Sequence, residues 1–125
     1  MNNKISVENK FCGYLEGHGD MVTSIVSGFT REDDKDNEIL VSGSRDHKLL
    51  IWKLTPESER NEETYGEPYI SLTGHNHFVS DLSLSADSNF VLSSSWDKSL
   101  RLWSLKTKAY NKILITRIEN LVYQQ

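Results

Sequence analysis

The chain has 125 residues, enough for one ordinary domain, and a formal net charge of −4, which excludes a broad basic footprint for nucleic acid but not a local basic patch. Its single cysteine, Cys12, excludes an intrachain disulfide and fits a reducing compartment. No apolar run nears the roughly 20 residues of a membrane span and the first ten residues carry no signal-peptide core, so a cytoplasmic protein without membrane insertion is expected. Residues 1–10 are polar and are expected to be disordered. Residues 11–15 suit a short strand, and residues 21–26 alternate well enough for the next. Residues 30–38, TREDDKDNE, crowd carboxylates together. A calcium loop of the EF-hand type needs a central glycine and flanking helices, which are missing, so a solvated loop is expected.

Strands follow at residues 39–44 and 48–54. Leu49-Leu50-Ile51-Trp52 is apolar without alternation, as in a strand buried on both faces. Residues 55–68 turn to Glu, Asn, Thr, Gly and Pro and predict a long surface loop before a strand at 69–72. Further strands are expected at 79–84, 90–95, 99–105 and about 110–115. Ala86-Asp87-Ser88-Asn89 is turn chemistry between two of them.

One pattern occurs twice. Gly17-His18 is followed by Asp46 and Trp52, and Gly74-His75 by Asp97 and Trp103, with each Asp six residues before its Trp. The order and spacing resemble the WD repeat. An Asp in a tight turn can accept backbone N–H groups and a His ring. The His can bridge to a Ser hydroxyl, and that Ser can receive the indole N–H, which needs a partner when buried. The expected sets are His18, Ser42, Asp46 and Trp52, and His75, Ser93, Asp97 and Trp103. Ser44 and Ser95 lie on the same strand faces, and the resemblance favours Ser42 and Ser93 over them. His to Asp spans 28 residues in the first copy and 22 in the second, so the first carries six extra, which map to the acidic loop.

The repeat implies an all-β, propeller-type fold that is partial: about two four-stranded blades plus an N-terminal closing strand. Residues 11–17 would be the outer closing strand, 18–73 the first repeat, 74–115 the second and 116–125 a divergent tail. Known propellers need at least about four blades, and repeat units are not stable in ones or twos. A fragment, a truncated product or a piece that associates with itself or with other propeller blades is therefore expected.

Several strings also resemble the receptor for activated C kinase, a Gβ-like scaffold family of the small ribosomal subunit. They are Leu-Glu-Gly-His at 15–18, Ser-Arg-Asp at 44–46, Ile-Trp-Lys-Leu-Thr at 51–55, Tyr-Gly-Glu-Pro at 65–68, Gly-His-Asn-His-Phe-Val-Ser-Asp at 74–81 and Ser-Trp-Asp-Lys-Ser-Leu-Arg-Leu-Trp at 95–103. The resemblance covers residues 11–105, the family's first two blades. It implies a non-enzymatic scaffold that recruits signalling proteins such as protein kinase C, modulates translation and needs no cofactor. It also implies contact with ribosomal RNA through Arg45, His47 and Lys48. The family has Lys where this chain has His47, with Lys48 one residue later, and side chains alternate across a strand.

The same residues admit other chemistry. His, Ser and Asp recur together, as in a hydrolase triad, but each set includes a Trp and no Gly-x-Ser-x-Gly elbow is present. His75 and His77 lack a Cys or a third His at zinc spacing. Trp96, in the turn before Asp97, is expected at a protein interface with Arg101. Cys12 is expected to be a small buried hydrophobe. The alternative to the ribosomal scaffold is a protein-only interaction module, a truncated WD-repeat paralogue.

Overall fold

A computed structural model describes residues 11–32, 35–61, 65–105 and 114–117. Among the described residues, eight strands form two four-stranded antiparallel sheets. The first sheet is β1 (Val22–Glu32), β2 (Lys35–Ser44), β3 (Leu49–Leu54) and β4 (Gly66–Leu72), in that order. The second is β5 (Val79–Leu84), β6 (Phe90–Ser95), β7 (Ser99–Ser104) and β8 (Leu114–Arg117). Each sheet is an up-and-down meander, and the chain is therefore all-β with two propeller-type blades.

The period of two along the strands decides where the core lies. In the first blade Val41 pairs with Ile51 and Gly43 with Leu49, so these four share one face. In the second blade Val91 pairs with Trp103 and Ser93 with Arg101. Val41, Leu49, Ile51 and Leu72 pack with Val79, Leu82, Val91 and Trp103 in one buried cluster between the blades. Gly43 has no side chain because Val79 occupies that space: a Cβ there would lie 2.6 Å from Val79 Cγ1. Polar contacts join the same faces. Thr23 Oγ1 donates to Val79 O at 2.5 Å, and Ser88 Oγ accepts the Phe29 N–H at 3.2 Å.

Several expectations are corrected by the fold. Residues 30–32 and 35–38 are not a solvated loop. They extend β1 and β2, with Arg31 opposite Asp36 and Thr30 opposite Asn37. Residues of opposite charge across a ladder support pairing, so the six extra residues lengthen two strands. Residues 11–17, expected to be a closing strand, form no strand. A strand needs a ladder partner, and both described sheets begin instead at β1 or β5. The segment lies against the first blade, where a Cβ on Gly17 would meet the Trp52 ring at 2.8 Å. Cys12, expected to be buried, is exposed on it.

The described part of the expected loop at 55–68 includes a short 3₁₀ turn, Glu57–Glu59, and β4 starts at Gly66 rather than at residue 69. Pro68 falls in β4 beside a shift of register between Ile51 and Trp52. An outer strand with a bulge tolerates a residue that cannot donate to the ladder. The last strand is Leu114–Arg117, so it ends two residues inside the expected tail. The expected disordered segment 1–10, the start of the strand expected at 110–115 and residues 118–125 of the tail lie outside the described residues.

Candidate interaction surface

Each blade closes its β2–β3 or β6–β7 turn with a four-membered polar chain. His18 Nδ1 donates to Asp46 Oδ2 at 2.9 Å, Ser42 Oγ donates to His18 Nε2 at 2.6 Å, and Trp52 Nε1 donates to Ser42 Oγ at 2.8 Å. The second blade repeats this with His75–Asp97 at 3.0 Å, Ser93–His75 at 2.7 Å and Trp103–Ser93 at 2.9 Å. This proton order satisfies every group with neutral imidazoles. Ser44 and Ser95 point elsewhere: Ser44 Oγ donates to Met21 O and Ser95 Oγ to His77 O.

The carboxylates also gather backbone donors. Asp46 accepts from Gly19 and Lys48, and Asp97 from Asn76 and Ser99, all at 2.9–3.0 Å. Ser99 adds a short hydroxyl hydrogen bond to Asp97. Burial pushes the Asp97 carboxyl up, but the hydrogen bonds from Ser99, Asn76 and His75 outweigh it and hold the group well below the usual carboxylate range. Asp46 shows the same balance and direction, with His18, Lys48 and Gly19 as the donors. Burial lowers the His75 pKa against the opposing pull of Asp97, with Arg101 adding to the lowering. A hydrolase triad needs a nucleophile that can reach a substrate. Ser93 is instead fully buried and spends its hydroxyl between His75 and Trp103.

The turns themselves are strained. His47 (φ 75°) and Lys98 (φ 67°) occupy the left-handed region that glycine favours. Around them lies a surface built from three loops. Arg45 and His47 come from the β2–β3 turn, His77 and Phe78 from the β4–β5 connection, and Trp96 from the β6–β7 turn. The Arg45 guanidinium sits 5.2 Å from the Phe78 ring centre. Phe78 and Trp96 are 5.2 Å apart, His77 and Trp96 5.5 Å, and His47 and His77 6.2 Å. Trp96 is 61 % exposed.

Arg101 does not share this surface. It is 8 % exposed, its Nε has no hydrogen-bond partner, and its guanidinium lies against Gly74. Strand alternation explains the correction: Arg101 stands opposite Ser93, on the face that carries Trp103 and packs on the first blade. His77 and Phe78 joined the surface without being singled out as site residues. The signal for them was the pair of adjacent rings, His77-Phe78, between a turn and a strand.

The opposite side of the first blade is open. A pocket of about 440 Å³ is lined by Leu15, Val22, Ile25, Leu40, Ser42 and Trp52, among others.

The family model for the WD domain, G-beta repeat, matches residues 9–53 and 66–104. The chain is 48 % identical over 100 residues to the cross-pathway control WD-repeat protein 2 of Flammulina velutipes, covering 80 % of this chain and 29 % of that protein. It is 46 % identical over 101 residues to the small ribosomal subunit protein RACK1 of Caenorhabditis elegans, covering 81 % and 30 %, and 46 % identical over 93 residues to that of Drosophila melanogaster, covering 74 % and 27 %. The chain thus spans less than a third of the length of these relatives. A solved structure, a humanized mutant of the Chaetomium thermophilum Polycomb Repressive Complex 2 bound to the inhibitor GSK126, superposes with a TM-score of 0.58 at 19 % identity over 78 % of this chain and 19 % of that one, which speaks for the fold alone.

Proposed function

The chain belongs to the WD domain, G-beta repeat family, and from that premise we propose that it serves as a non-enzymatic scaffold docked on the small ribosomal subunit. The observation that carries this reading is the 46 % identity to RACK1 proteins named for that subunit. The resemblance extends the reading to recruitment of protein kinase C-type signalling proteins, to modulation of translation and to a cytoplasmic, ribosome-associated location. Arg45, His47 and Lys48 are the residues that meet ribosomal RNA in this reading. All three are exposed at one turn, and phosphate contacts from the cations Arg45 and Lys48 supply salt-dependent affinity.

Co-sedimentation with purified small subunits over a salt series tests the reading. The double substitution R45E and K48E is expected to weaken association by about tenfold or more and to flatten its salt dependence. Unchanged association would sink the RNA contact.

A second reading, a protein-only interaction module that pairs with itself or with other propeller blades, is favoured by the open face of the first blade. Ile25 and Phe29 are 61 % and 62 % exposed there, and apolar surface of that kind marks association sites. Sedimentation equilibrium distinguishes it: a concentration-dependent complex supports pairing, and a stable monomer opposes it.

A further inference from the structure

We infer that the surface around Trp96 is a stacking platform for an unpaired base of an RNA strand, with Arg45 holding a neighbouring phosphate. This deepens the ribosomal reading and rests on it for the choice of RNA.

Three observations carry the inference. The first is geometry. Phe78 is a shared floor, with Arg45 and Trp96 each 5.2 Å from its ring centre on the two neighbouring turns. A planar cation and an open indole therefore lie within the reach of one or two nucleotides. His77 packs on Trp96 at 5.5 Å with the rings tilted 36°, and the 61 % exposure of Trp96 leaves ring surface open to a base.

The second is rigidity. Trp96 N–H donates to Phe78 O at 3.0 Å and the Phe78 N–H to His77 Nδ1 at 2.7 Å. Arg45 N–H donates to Met21 O at 3.0 Å. The platform is thus held by backbone hydrogen bonds in both blades, so little ordering is left for a ligand to impose.

The third is charge. The chain is acidic as a whole, yet these two turns present Arg45, Lys48 and Lys98 outward. Their two carboxylates, Asp46 and Asp97, are engaged by His18 and His75 and by backbone N–H groups. Aromatic rings flanked by cations are how single-stranded nucleic acid is held without a deep pocket, because every base offers a flat face to stack. A duplex hides those faces and leaves phosphates, 2′-hydroxyls and base edges instead.

The test titrates the full chain with an oligouridylate of about eight nucleotides, within the usual single-strand site size, and with an RNA duplex of equal length. Tryptophan emission and fluorescence anisotropy are followed together. Trp52 and Trp103 are buried, so quenching reports Trp96. The single strand is expected to quench and to bind more tightly than the duplex. Trp96→Ala should weaken single-strand binding about five- to a hundredfold without changing the salt slope, whereas Arg45→Ala should lower that slope by about one. His77→Ala, on the underside of the same ring, gives a second and smaller loss. Equal affinity for strand and duplex, or wild-type affinity in Trp96→Ala, overturns stacking. If stacking fails while R45E and K48E still release the chain from small subunits, the ribosomal reading stands without it. If neither effect appears, both fall. A polyglutamate peptide that binds in a Trp96-dependent way while RNA does not would overturn the inference in favour of a protein partner.

Discussion

The two blades carry the same polar chain, yet only the second has that face covered by another described blade. Ser93 and Trp103 look onto the first blade and help form the buried cluster between them. Ser42 and Trp52 stand at equivalent positions and line the open pocket. The hydrogen-bond lengths nevertheless agree within 0.1 Å at every link, for instance 2.8 and 2.9 Å from Trp to Ser. The tetrad is therefore a property of one blade, assembled from its own turn, its strands and the segment that leads into its first strand. Burial of its Trp against a neighbour is a separate contribution. Arg101 marks the same divide, because its counterpart in the first blade is Leu50, opposite Ser42.

The largest expected effect tests that separation. Trp103→Ala removes a ring from the packed interface and should cost about 3–5 kcal/mol. Trp52 is also buried, but it lines a pocket and packs on the N-terminal segment rather than on a second blade, so Trp52→Ala should cost less. Urea denaturation of both variants decides it, and equal costs would show that the two faces contribute alike.

Next come the carboxylates. Asp97 accepts the Ser99 hydroxyl, and Asp46 has Lys48 at the equivalent place, giving only its backbone N–H. Asp97→Asn should therefore destabilise by about 2–3 kcal/mol and Asp46→Asn by about 1–2 kcal/mol. Acid should act in the same direction. His75 has a lowered pKa in the folded chain, so the unfolded chain binds that proton first and stability falls as pH drops below about 6.5. Asp97 is depressed in the folded chain, so its contribution is present above about pH 4 and is lost as pH falls further. Melting between pH 7.5 and 3 should show a declining midpoint, with the steepest part at the acid end flattened in Asp97→Asn. A midpoint that rises between pH 7 and 5 would contradict the His75 part.

A third contrast concerns space. Gly43 and Ser94 are equivalent, but Val79 crowds the first while Ser94 looks away from the first blade. Gly43→Val should cost about 1–3 kcal/mol through overpacking, and Ser94→Val should lie within about 0.5 kcal/mol of the parent. Similar losses at both sites would mean that the covered and open faces are not distinct. The smallest effect is at the turn: Lys98→Gly relieves the left-handed strain and should raise stability by about 0.5–1 kcal/mol in the same denaturation assay. No gain would place the strain elsewhere.

Much of this was legible in the sequence because it is local and periodic. The His, Ser, Asp and Trp of each blade are spaced by the turn that closes them, and their chemistry leaves each polar group few other partners. The recurrence of that order and spacing likewise exposed the repeat. The acidic stretch misled because its charge suggested solvent, while the register sets Arg31 opposite Asp36 and continues the ladder. Residues 11–17 read as a strand because propensity does not supply a ladder partner.

What the sequence by itself determined is the blade: its four strands, its turn and its polar chain, all fixed by neighbours within a few dozen residues. What only the tertiary structure decided is which faces meet. Arg101 went inside because its strand face lies on the first blade, and Arg45, His77, Phe78 and Trp96 came together because three loops from two blades converge. Neither outcome is encoded in spacing. Both depend on how one sheet packs against the next, where burial of apolar area and close packing set the geometry.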